Sequence, residues 1–100
     1  MNRKIYTVDE IKKRFENVAR KYEINEAYLF GSYARGDATP KSDVDIYMKE
    51  GNKIRTLFQL SEFRLEVKDI LQKEVDVVLE NSSNPKFENG IREDLLKIYG

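Results

Sequence analysis

Residues 31–45 read GSYARGDATPKSDVD, and this stretch decides how the rest of the chain is read. At its front, Gly31-Ser32 ends the apolar run Ala27-Tyr28-Leu29-Phe30, which suits a short buried strand. At its back, Asp43-Val44-Asp45-Ile46-Tyr47-Met48 alternates with the period of a second strand. Between them, residues 36–42 (GDATPKS) are turn chemistry throughout. Residues two apart on a strand face the same side, so Asp43 and Asp45 project together while Val44 and Ile46 face the other way. Two carboxylates so placed repel each other and ask for a cation between them.

The chain holds no His and no Cys, which excludes imidazole or thiolate metal sites, Ser-His-Asp triads and disulfide scaffolds. The remaining chemistry belongs to carboxylates, hydroxyls, Lys, Arg and backbone. An all-oxygen pair suits a hard divalent cation, Mg²⁺ or Mn²⁺. If Ser32 opens a short helix through Arg35, its first N–H groups point outward and favour phosphate. Gly31 lets the backbone approach closely, and the Ser32 hydroxyl can donate. Arg35 either adds positive charge there or pairs with Asp37 or with a carboxylate of the cluster.

Working outward, Thr7-Val8-Asp9-Glu10 is a capping-box pattern. Apolar residues at Val8, Ile11, Phe15, Val18 and Tyr22 then predict a helix over about residues 8–22. Downstream, residues 54–72 predict a long amphipathic helix. Its stripe Leu57, Leu60, Phe63, Val67, Ile70 reads as core, with Leu65 off the face. Val75-Asp76-Val77-Val78-Leu79 is a strongly β-branched strand with one charge, Asp76. If that strand neighbours the Asp43/Asp45 strand, three carboxylates can converge on one or two metals; an outward edge position would explain Asp76 without metal. Asn84-Pro85 reads as a helix start, and Phe87, Ile91, Leu95 and Ile98 predict a last short helix.

The fold expectation is a small α/β (α+β) domain over residues 1–100, with a mixed sheet of at least three strands flanked by helices. Equal numbers of basic and acidic residues, 18 of each, argue against a dedicated nucleic-acid binder. No apolar run reaches the roughly 18–20 residues of a membrane span, and MNRKIYTVDEIKKRF lacks the apolar stretch of a secretory leader. A cytoplasmic location is expected. Anion site beside metal site implies two-metal phosphoryl-type transfer, with a carboxylate such as Asp76 as the candidate general base.

Gly31-Ser32, ten residues, then Asp43-Val44-Asp45 resembles the signature of the DNA polymerase β-like nucleotidyltransferase superfamily. The fuller string, with Arg35-Gly36, Ser42 and Ile46, resembles its minimal nucleotidyltransferase branch. The resemblance covers essentially the whole chain. It implies the polymerase β-like fold. It implies Asp43, Asp45 and Asp76 as catalytic, metal-binding residues, and a nucleotide-binding set of Gly31, Ser32, Arg35 and Ser42. It further implies ATP as substrate, two Mg²⁺ ions with Mn²⁺ as the alternative, and the antitoxin role of a type VII-like toxin–antitoxin pair. The implied partner is a HEPN-domain toxin, adenylylated on a tyrosine hydroxyl. Two alternatives remain: a non-catalytic antitoxin that neutralises by complex formation, and a module acting on small molecules.

Overall fold

The computed structural model describes residues 5–48, 54–79 and 95–100. Among the described residues, seven elements follow in chain order: α1 (Val8–Lys21), β1 (Ala27–Phe30), α2 (Ser32–Arg35), β2 (Val44–Met48), α3 (Leu57–Leu71), β3 (Val75–Leu79) and β4 (Leu96–Tyr99). The strands form one mixed sheet in the order β3-β2-β1-β4. β1 runs antiparallel to β2 and β4, while β2 and β3 run parallel. The parallel pair needs a long crossover, and α3 supplies it.

Each long helix begins with a reciprocal cap. The Thr7 hydroxyl accepts from the Glu10 N–H at 3.1 Å, and the Thr7 N–H donates to the Glu10 carboxylate at 2.9 Å. Thr56 and Gln59 repeat the device at α3. That second cap sets the start of α3 at Leu57, not Ile54 as the apolar pattern predicts. Ile54 is buried ahead of the helix.

The core lies between one face of the sheet and the two long helices. Ile11, Phe15, Val18 and Ala19 of α1 meet Phe63, Val67 and Leu71 of α3 over Leu29, Val44, Ile46, Met48 and Val75. Phe15 and Phe63 meet edge to face with centroids 5.8 Å apart, a favoured aromatic geometry. The expected α3 stripe needs one correction. Leu57 does not reach the core and stands 82% exposed, with Phe58 beside it at 85%. Both lie in the first turn, beyond the reach of the α1 contacts that bury Phe63 and Val67.

The end of the chain also differs from expectation. Residues 96–99 form strand β4, not the end of a helix. The period-2 requirement of sheet pairing overrides the helical spacing there, because β1 has a second edge whose N–H and C=O groups β4 pairs. The predicted helix residues Phe87 and Ile91 and the Asn84-Pro85 start lie outside the described residues.

Candidate active site

The face of the sheet opposite the core carries two levels of side chains. Phe30 pairs with Asp45 across β1 and β2, and Asp45 pairs with Asp76 across β2 and β3. Phe30, Asp45 and Asp76 therefore share one row and one face. The next row holds Tyr28, Tyr47 and Val78. Phe30, Tyr47 and Val78 are buried and cluster together, with Tyr28 and Leu95 packed against them. The row of acids thus stands at the edge of an apolar floor.

Asp45 and Asp76 are half-buried, and Asp43 is exposed just ahead of β2. Among the described residues, no three acidic side chains are gathered into a closed metal-holding cluster. What the topology supplies is alignment: two carboxylates directly opposed on neighbouring strands, with a third two residues upstream. Like charges at opposed positions repel across a sheet. The donor set of this pairing is oxygen only and fits a hard divalent cation.

Gly31 sits beside this row with φ +70°, a conformation that L side chains rarely adopt. A Cβ added there would collide with the Asp45 carboxylate. The positive φ favours glycine, and any side chain here would push the Asp45 carboxylate aside. Ser32 then opens α2, whose N-cap Gly31 offers no side-chain hydrogen bond; the first N–H groups of a helix have no acceptor within it. Gly36 ends α2 in the left-handed region, φ 84°. Tyr33 points away from the acids and packs in the main core, where burial pushes its phenol up.

Other expected residues take local partners. Arg35 Nε donates to Asp37 Oδ2 at 3.3 Å, both side chains being largely exposed. The Ser42 hydroxyl accepts from the Thr39 N–H at 2.8 Å, closing the turn that leads into Asp43. The Val44 N–H donates to the Glu74 carbonyl at 2.9 Å and aligns β2 with β3. Two features escape sequence reading. The aromatic floor joins residues from separate strands, and Lys73 is buried although it lies in a polar Gln-Lys-Glu tract.

Comparison with known proteins agrees with this fold. A protein of Methanocaldococcus jannaschii, named as a candidate protein adenylyltransferase, is 32% identical over 91 residues, covering 91% of this chain and 97% of its own length. A crystal structure of a toxin–antitoxin with AMP-PNP superposes with a TM-score of 0.76 at 21% identity, covering 89% of this chain and 73% of that one. A complex of a tri-AMPylated Shewanella oneidensis HEPN toxin with its MNT antitoxin gives a TM-score of 0.70 at 18% identity, covering 94% of this chain and 73% of that one. These two likenesses show a shared fold. The family model for polymerase beta nucleotidyltransferases matches residues 10–99. With its carboxylates aligned across β2 and β3 and a glycine cradle beside them, this chain belongs to the polymerase beta nucleotidyltransferase family and is a nucleotidyltransferase.

Proposed function

We propose that the chain transfers AMP from ATP to a tyrosine hydroxyl of a HEPN-type toxin, acting as its antitoxin in the cytoplasm. The observation that carries this reading is the Asp45–Asp76 register beside the Gly31 cradle. The candidate adenylyltransferase relative supports AMP as the group transferred. The solved toxin–antitoxin complexes of the same fold support the choice of partner.

In this reading Asp43, Asp45 and Asp76 hold Mg²⁺. Bound there, Mg²⁺ neutralises phosphate charge and polarises the transferring group. Gly31 lets the triphosphate lie against the backbone, and the Ser32 hydroxyl and first helical N–H groups of α2 donate to its oxygens. Arg35 can exchange its exposed Asp37 partner for phosphate, because such a surface pair is worth only about 0–1 kcal/mol. Ser42 acts through the turn that delivers Asp43. Asp76 takes the proton of the tyrosine hydroxyl. The phenolic oxygen bonds to the α-phosphorus, the bond from that phosphorus to the bridging β-phosphate oxygen breaks, and pyrophosphate leaves. The acceptor stands on the partner.

The test is transfer of α-labelled phosphate from ATP to a HEPN-domain partner by wild type and by Asp43→Asn/Asp45→Asn. The double variant should lose about a thousandfold or more in rate while keeping the wild-type circular dichroism and Tm. Transfer that survives the double change would overturn the reading.

A further inference from the structure

Among the described residues, Lys73 is the one polar or charged residue that is buried, at 3% exposure. It lies in the turn between α3 and β3. Its Nζ reaches across 33 positions of sequence and donates to the Pro40 carbonyl at 3.1 Å. Next to it, the Glu74 carbonyl accepts from the Val44 N–H. The two neighbours Lys73 and Glu74 thus grip the chain at Pro40 and at Val44, with Asp43 between the two points. Inside that span the Ser42 hydroxyl ties back to the Thr39 N–H.

Burying an ammonium is costly, and an apolar side chain of similar length would fill the same space without that cost. A packing role alone therefore does not account for lysine at this place. One acceptor of that ammonium is a backbone carbonyl of the very loop that ends in Asp43, the most exposed of the three acids. We propose that Lys73 is a positioning residue: its buried ammonium clamps Pro40 and so restrains the segment that carries Asp43 just ahead of β2, two residues from Asp45, for the divalent cation. This rests on the functional reading above. Preorganisation of that kind acts on metal affinity, since a loosened Asp43 must be ordered again each time metal binds.

The experiment measures Mn²⁺ binding by electron paramagnetic resonance on the intact chain, for wild type, Lys73→Met and Lys73→Gln, with Tm recorded alongside. Neither replacement can donate to Pro40 with a buried charge. The dissociation constant should rise about tenfold or more in both variants, and saturating Mn²⁺ should bring kcat for AMP transfer back toward wild type. A variant that folds and binds Mn²⁺ as wild type does would overturn the proposal. If neither variant folds, the wild type decides by linkage: metal that is helped by the clamp must tighten the clamp. Saturating Mg²⁺ should then slow exchange of the Lys73 ammonium protons, followed by nitrogen-15 NMR, and unchanged exchange would overturn the proposal. A wild-type chain that binds no Mn²⁺ and transfers no AMP would overturn the functional reading and this inference with it. Wild-type binding with unaltered variants would overturn this inference alone.

Discussion

At the scale of single residues, Gly31 carries the sharpest constraint. It combines a positive φ with contact against the Asp45 carboxylate. Gly31→Ala should cost roughly 1–3 kcal/mol of stability, read from urea unfolding, and should depress transfer by more than the folded fraction explains. An alanine variant with wild-type stability and activity would show that the loop yields freely. The acids themselves were legible in sequence because strand alternation is a local rule: Asp43 and Asp45 share a side whatever the rest of the chain does. That Asp76 stands directly opposite Asp45 was not legible, because register between strands 31 residues apart is a tertiary fact. Lys73 is the converse case, a buried residue that no local pattern marks. It stands between the polar Gln72 and Glu74, yet it is buried and its ammonium donates to the Pro40 carbonyl.

At the scale of elements, α3 separates what periodicity shows from what packing decides. The helix carries more apolar positions than α1 and β3 can cover, so Phe63 is fully buried while Phe58, five residues earlier, is 85% exposed. Phe63→Ala should therefore cost about 3–5 kcal/mol, and Phe58→Ser should stay within about 0.5 kcal/mol, both by denaturant unfolding of the isolated chain. Equal costs would mean that Phe58 is covered in solution. The α1 start was legible because Thr7 and Glu10 form a capping box in adjacent sequence. The same signal was present at Thr56-Leu57-Phe58-Gln59. The apolar residue Ile54 ahead of it masks that signal in a reading by periodicity alone.

At the scale of the whole molecule, the two long helices are joined across their exposed side by Lys21 and Glu66, whose Nζ and Oε1 are 2.5 Å apart. The Lys21 ammonium holds the Glu66 carboxyl below its usual 4.5. The stabilisation is therefore complete above the unfolded value and disappears as pH falls through the lower folded value. Glu66 is about a third exposed, so the surface figure of roughly 0.5 kcal/mol applies. Glu66→Gln should lose roughly 0.5 kcal/mol at pH 7, and the difference from wild type should shrink as pH falls through the lowered folded value, followed by urea unfolding across a pH series. A difference that persists at low pH would mean that Glu66 acts by packing. By itself, the sequence determined the helix that opens on the Thr7–Glu10 cap, the β-branched strands, the glycine-and-carboxylate stretch at residues 31–45 and the exclusion of histidine and thiol chemistry. Each of these follows from neighbours in the chain or from composition. Tertiary structure alone decided that β3 lies against β2 with Asp76 opposite Asp45, that residues 96–99 become a strand, and that Lys73 turns inward to Pro40. In all three the deciding partner is remote in sequence, and the free energy that selects the conformation comes from satisfying backbone and charged groups on another element.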